Sequence, residues 1–248
     1  MRFDLSDEEW AIIEPHLPLK KRGPDRVDDR RVLNGIFYIL RTGAPWRDLP
    51  ERYGPRTTVY NRYARWARRG IWRGVFEALA KTNEDSLLFI DASIIKAHRA
   101  ATGAKGGNAQ DIGRSRGGRT SKVHAVVDGK GQLVQVVITG GQVHDSQVIP
   151  ALLKNGLNNP LAIVADKAYG SADIRRRIAD EGALAVIPSK SNAKNPIPHD
   201  VNLYAMRNIV ERFFCKMKDM RRLATRFEKL SSNFLAMVHI FAIRQWCN

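Results

Sequence analysis

Apolar residues recur at intervals of three and four at Val32, Leu33, Ile36, Phe37 and Leu40, which marks one face of a helix starting near Asp28. Ser6 with Glu9 three positions on forms a capping box for an earlier helix running to about His16. A basic segment with Gly and Pro, Pro18 to Pro24, links the two. Gly43, Pro45 and Pro50 then break the pattern in a loop that holds Trp46. Thr57 or Thr58 can cap a third helix through Arg69, with Val59, Tyr63 and Trp66 on one side, and Ile71 to Lys81 reads as a fourth. Residues 1–85 are therefore expected to form a small all-helical domain.

The texture changes at Leu87. Leu87 to Ile95 is a short apolar run of strand type, while 99–119 is Gly-rich, basic and without periodicity, the pattern of a mobile loop. Thr120 to Val127 and Gln132 to Thr139 flank Asp128-Gly129-Lys130-Gly131, a strong hairpin signal. Ser146 to Lys154 reads as a short helix, Leu161 to Ala165 as a buried strand, Ala172 to Glu181 as a helix and Leu184 to Ile187 as a strand. A polar loop over roughly 189–203 precedes a long helix from Leu203 to about Leu230, and another helix runs from Asn233 to Trp246. The order βββαβαβαα over 86–248 predicts an α/β domain with the mixed sheet of a ribonuclease H-like core.

Composition sharpens this picture. Forty-one Lys and Arg against 25 Asp and Glu give the chain a net charge of +16, and the excess is spread along its length. Such a surface attracts polyanions, of which nucleic acid is the commonest large one. Arg56, Arg62, Arg65, Arg68 and Arg69 load the third helix, as in a helix-turn-helix type of DNA reader; a plain helical bundle has the same apolar pattern. Neither a signal peptide nor a stretch of about 20 apolar residues is visible, so no membrane association is expected. Cys215 and Cys247, the only cysteines, have no metal-ligand spacing, which suits a reducing cytoplasm.

The acids carry the candidate chemistry. Asp91 lies inside Leu87-Leu88-Phe89-Ile90-Asp91-Ala92-Ser93, and Asp166 follows Ala162-Ile163-Val164-Ala165. A carboxylate in an apolar strand is costly to bury unless it is paired or binds a metal, and hard carboxylates on adjacent strands suit Mg²⁺. For either acid taken alone, a basic partner or a turn-capping role is the commoner explanation. On one continuous helix, Tyr204, Arg207, Glu211 and Lys218 fall within roughly 60° of one another, at about 100° per residue. Met206, Ile209, Phe213, Met217 and Met220 collect on the opposite side as a core face. An ordinary i,i+4 ion pair between Arg207 and Glu211 fits the same spacing. Asp145 is expected to cap the short helix after it, His124 to be structural, and Cys215 to serve packing.

Tyr204-x2-Arg207-x3-Glu211-x6-Lys218 resembles the YREK signature of insertion-sequence DDE transposases. Ile90-Asp91-Ala92-Ser93 and Asp166-Lys167-Ala168-Tyr169-Gly170 resemble the two Asp strands of that family. Gly113-Arg114-Ser115-Arg116-Gly117-Gly118, Arg22-Gly23-Pro24 and the segment Arg41 to Pro50 look like its compact IS-five type, within the IS-four superfamily.

The resemblance implies a ribonuclease H-like core with Asp91, Asp166 and Glu211 as both catalytic triad and metal ligands. It implies two Mg²⁺ ions, replaceable by Mn²⁺, of which one activates a water or a DNA 3′-hydroxyl and the other stabilises the leaving 3′-oxygen. The implied partners are terminal inverted repeats and target DNA, held by a homodimer, with no small-molecule substrate and a cytoplasmic, nucleoid-associated location. Tyr204, Arg207, Lys218, Arg62, Arg65, Arg114, Arg116 and Arg222 are the expected DNA contacts. Asp166 and Glu211 stand 45 positions apart, too close for the large insertion domain of some relatives. The rival readings are a non-catalytic, transposase-derived DNA-binding protein and a stand-alone ribonuclease H-like nuclease. The complete acid triad argues against the first and the separate helical region against the second.

Overall fold

The computed structural model of the chain describes residues 3–19, 27–83, 85–103, 110–154 and 157–247. The expected linker from Pro18 falls outside the described residues from position 20 on, Arg22-Gly23-Pro24 included, as does 104–109 of the expected Gly-rich loop. Two compact units are present. One comprises Met1–Ala80, Ala97–Gln110 and Met217–Asn248; the other comprises Lys81–Lys96 and Asp111–Lys216.

The first unit is helical. Ser6 and Glu9 exchange both capping-box hydrogen bonds at the start of α1 (Asp7–Ile13). The Asp28 side chain caps α2 (Asp29–Thr42), and Gly43 ends it in the left-handed conformation at φ 71°. A side chain at Gly43 would also meet Arg221, whose Cβ lies 2.9 Å from a built Cβ. α3 (Arg56–Arg68) starts one residue before Thr57, behind Pro55, and α4 (Ile71–Ala80) follows. A short α9 (Arg221–Ala224) and α10 (Ser231–Trp246) complete the unit. Tyr63 donates to the Asn233 carbonyl at 2.5 Å, and Phe76 stacks on His239 with ring centroids 5.0 Å apart. α10 is buried nearly all round, from Phe234 to Ile243, so its apolar surface and the inner faces of α3 and α4 form one core.

The second unit is a mixed sheet with helices. β1 (Leu87–Ala97) pairs antiparallel with β3 (Gly118–Asp128) and parallel with β5 (Ala162–Ala165), and β5 pairs parallel with β6 (Leu184–Val186). β4 (Leu133–Gly140) and the short β2 (Gly113–Ser115) share the other edge of β3. Asp128 fixes the β3–β4 turn by accepting from the backbone of Lys130 and Gln132, while Gly131 supplies φ 77°. One face is covered by α5 (Ile149–Leu153) and α6 (Ala172–Asp180), which bury Ile149, Leu152, Ile174 and Ile178 on Leu88, Ile90 and Ile163.

Three local expectations need correction. Residues 113–119 are an ordered hairpin, because main-chain pairing of Gly113 to Ser115 with Gly118 to Thr120 needs no apolar pattern. The long helix from Leu203 is three pieces, α7 (Val201–Ala205), α8 (Asn208–Lys218) and α9. At the first break the amides of Met206, Arg207, Ile209 and Val210 bond three residues back, which tightens the turn without altering the apolar spacing. Met206, expected in the core, is consequently exposed. No helix among the described residues is long and apolar enough to cross a membrane.

Candidate active site

Parallel pairing of β1 with β5 brings two acids to adjacent strand positions. The register aligns Ile90 with Ala165; the next residues are Asp91, still on β1, and Asp166, just past the end of β5. Asp166 caps a one-turn 3-10 helix, accepting from the Ala168 amide at 2.7 Å. Asp91 accepts from the Ala92 amide at 2.8 Å through Oδ1 and from Arg207 Nη1 at 3.3 Å through Oδ2. Burial pushes the Asp91 carboxyl above its ordinary range; the Ala92 amide and Arg207 oppose that shift, and the nearby charges of Asp166 and Asp145 add to it.

Glu211 reaches this pair through Arg207. Arg207 stands in the turn between α7 and α8, and its Nη2 donates to Glu211 Oε1 at 2.5 Å. One guanidinium thus bridges a strand carboxylate and a helix carboxylate 120 positions along the chain from it. The Arg207–Glu211 pair has the ordinary i,i+4 spacing, but its extension to Asp91 is a tertiary contact that periodicity does not reveal.

A buried polar layer adjoins the acids. Lys122 on β3 pairs with Asp145 at 2.9 Å, and His124 Nδ1 lies 3.6 Å from the same oxygen. Asp145 therefore acts as an ion-pair acceptor, whereas His144 occupies the cap position of the following turn without a side-chain cap bond. His124 is fully buried, as its structural role requires, and contacts the Thr139 hydroxyl at 2.9 Å. The buried Tyr169 hydroxyl has no hydrogen-bond partner among the described residues, and its pKa is raised by burial and by the charges of Asp145, Asp91 and Asp166. Sequence reasoning misses Tyr169 and the Lys122–Asp145 pair; strand parity, which aims Lys122 and His124 to one side of β3, is the signal that finds the lysine.

The expected cationic contacts divide sharply. Arg65, Arg114, Arg116 and Lys218 are exposed, and Tyr204 is half-buried with its ring edge against His199. Arg62 is only 7% exposed; it pairs with Asp29 and covers the Trp66 ring. Arg222 is 8% exposed, pairs with Glu228 at 2.8 Å and covers Phe227. Arg226 is fully buried on backbone carbonyls of Glu228 and Gln110. These three arginines are consumed by packing and ion pairing and offer no guanidinium to a ligand. Cys215, expected in packing, is exposed.

Asp91, Asp166 and Glu211 are hard oxygen donors of the kind Mg²⁺ takes. Among the described residues no three acidic, His or Cys side chains converge closely enough to share one ion as they stand. Two of the three, Asp91 and Glu211, face a single cationic group, Arg207, and the donor chemistry of the set, all carboxylate oxygen, suits a divalent cation.

Two family models match the chain. One, described as "Putative transposase of IS4/5 family", matches residues 5–76; the other, "Transposase DDE domain", matches residues 82–246. A "Putative transposase for insertion sequence element IS6501" of Brucella ovis is 34% identical over 131 residues, 51% of this chain and 98% of that protein. The "Uncharacterized protein y4sN" of Sinorhizobium fredii is 36% identical over 118 residues, 46% of this chain and 87% of that protein. Among solved structures, a piggyBac transposase synaptic complex with hairpin DNA aligns at 13% identity and a TM-score of 0.41 over 77% of this chain, which spans 48% of that protein.

Proposed function

This chain belongs to the transposase DDE domain family, and on that premise we propose that it mobilises a bacterial insertion sequence of the IS-five type. It binds the terminal inverted repeats, hydrolyses the phosphodiester at each element end, and joins the freed 3′-hydroxyl to target DNA. The observation that carries this reading is the Ile90–Ala165 register, after which Asp91 and Asp166 are the next residues, together with the Arg207 bridge from Asp91 to Glu211.

Asp91, Asp166 and Glu211 are the residues that would hold Mg²⁺ or Mn²⁺. Bound ions supply the Lewis acidity that activates the attacking oxygen and neutralises the leaving one. The surrounding protein does the positioning. The ribonuclease H-like sheet fixes the two aspartates on rigid backbone, while Arg207 and Lys218 orient phosphates and Tyr204 stacks on or hydrogen bonds to the element end. Exposed Arg65 on α3 and Arg114 and Arg116 on the β2–β3 hairpin hold the DNA backbone, and two copies of the chain bring two ends together. Hydrolysis breaks the P–O3′ bond, adds the water oxygen to phosphorus and leaves a protonated 3′-oxygen, so no covalent protein–DNA intermediate forms.

Cleavage of a labelled duplex carrying the element's own inverted repeat tests this. Asp91→Ala, Asp166→Ala and Glu211→Ala should each abolish cleavage in Mg²⁺ and retain binding in a gel-shift assay. Near-normal cleavage by one variant removes that residue from the triad; cleavage by all three removes the catalytic assignment.

A further inference from the structure

Arg207 is placed to do more than hold a phosphate. Its side chain is 24% exposed and that of Asp91 is 22% exposed, so this contact is largely withdrawn from water. Nη1 and Nη2 are spent on different carboxylates, one on β1 and one on α8, at 3.3 and 2.5 Å. Asp166, just past the end of the neighbouring strand, adds a further negative charge close enough to act on Asp91. A partly buried carboxylate beside another needs a cation, and here the protein supplies its own.

We propose that Arg207 is the resident cation of the acid site, that a divalent metal and Arg207 compete for Asp91 and Glu211, and that duplex DNA favours metal binding by offering the guanidinium a phosphate instead. The inference rests on the metal-site reading above and extends it to the order and coupling of binding. Mg²⁺ takes carboxylate oxygens at roughly 2.0–2.1 Å, which would set two positive charges against each other at close range if Arg207 stayed on the same carboxylates. Arginine does not lose its proton near neutral pH, so it vacates the site only by moving. Its planar fork matches a phosphate as well as it matches a carboxylate. Metal alone must therefore drive Arg207 into solvent, and DNA alone must approach uncompensated carboxylates. When both bind, every charge has a partner, so each raises the affinity of the other by the same factor. The chain then holds its metal ions firmly only where a DNA phosphate is present to be cut.

Mn²⁺ affinity of the full chain, measured by calorimetry with and without the inverted-repeat duplex, tests the coupling without reference to turnover. The Asp91→Ala variant measures ions taken up by the DNA itself. For the native chain, duplex should tighten Mn²⁺ binding by about 5- to 150-fold, the usual range of coupling between two sites. Arg207→Ala should bind Mn²⁺ tightly without DNA and gain little from it; Arg207→Gln, which keeps most of the side-chain stem, replaces it if the alanine variant does not melt cooperatively. Equal Mn²⁺ affinity of the native chain and the Arg207 variant in the absence of DNA overturns the proposal while leaving the metal site intact. Mn²⁺ uptake by the native chain and the Arg207 variant no greater than that of the Asp91→Ala control, with and without DNA, removes the metal site itself and this coupling with it.

Discussion

Glu9 on α1 and Arg244 on α10, 235 positions apart, are joined by hydrogen bonds of 2.9 and 3.2 Å. Arg244 also donates to the Phe3 and Asp4 carbonyls and lies over the Phe37 ring. The N-terminal helices thus share their core and a half-buried ion pair with the last helix of the chain.

A fragment ending near residue 85 should therefore fail to fold. It lacks α10, whose Phe234, Met237, Ile240 and Phe241 are buried in the helical unit, together with the carbonyl that receives the Tyr63 hydroxyl. Circular dichroism of the 1–85 fragment should show no cooperative melt, whereas the full chain melts cooperatively. A cooperative transition in the fragment would show that α1 to α4 are self-sufficient.

The local elements are largely legible in sequence because their signals are local. The Ser6–Glu9 box, the Asp28 cap and the Asp128 turn each satisfy backbone groups within four residues. Two apolar strands ending in acids hint at the pairing of Asp91 with Asp166, and only strand register makes them neighbours. What stays hidden depends on tertiary context. Arg62 and Arg222 look like surface cations in a helical pattern until Asp29 and Glu228 are found beside them. The breaks after Ala205 and Lys218 preserve the apolar spacing, so a wheel drawn through them looks continuous although the backbone is not.

Arg222→Ala should damage folding rather than recognition. It strands the Glu228 carboxylate, which is 6% exposed and loses its partner at 2.8 Å. Breaking such a buried pair costs about 3–5 kcal/mol. Arg65→Ala, at an exposed position, should change stability by less than about 0.5 kcal/mol. Urea denaturation of both variants checks this, and a native-like midpoint for Arg222→Ala would free Arg222 for a role at the surface.

The β2–β3 hairpin places Arg114 directly opposite Arg119, with Arg116 at the turn, all three exposed. Like charges across a strand pair repel, so replacing them with Gln should leave the melting temperature unchanged or slightly raised. If each holds one phosphate, the triple Gln variant should reduce the slope of log affinity for duplex DNA against log salt by roughly 2 to 3, at about 0.9 for each phosphate no longer neutralised. An unchanged slope would remove the hairpin from the DNA interface.

Acid should destabilise the helical unit through His239 well before the carboxylates titrate. His239 is buried against Phe76, and burial pushes its pKa from 6.5 down to about 3, with Arg73 adding a smaller push in the same direction. The folded chain therefore keeps this imidazole neutral at pH 5, while the unfolded chain protonates it near 6.5. The unfolded state binds the extra proton throughout that interval, so stability falls as pH falls, by about 1.4 kcal/mol per pH unit below 6.5. Between pH 7 and pH 5 the loss from this one residue is about 2 kcal/mol. Denaturant unfolding of the native chain and of His239→Leu at both pH values isolates it, because every other titrating group is common to the two proteins. The variant should lose about 2 kcal/mol less than the native chain over that range. Equal losses would mean that His239 titrates normally in the folded state and that the Phe76 contact does not keep it dry.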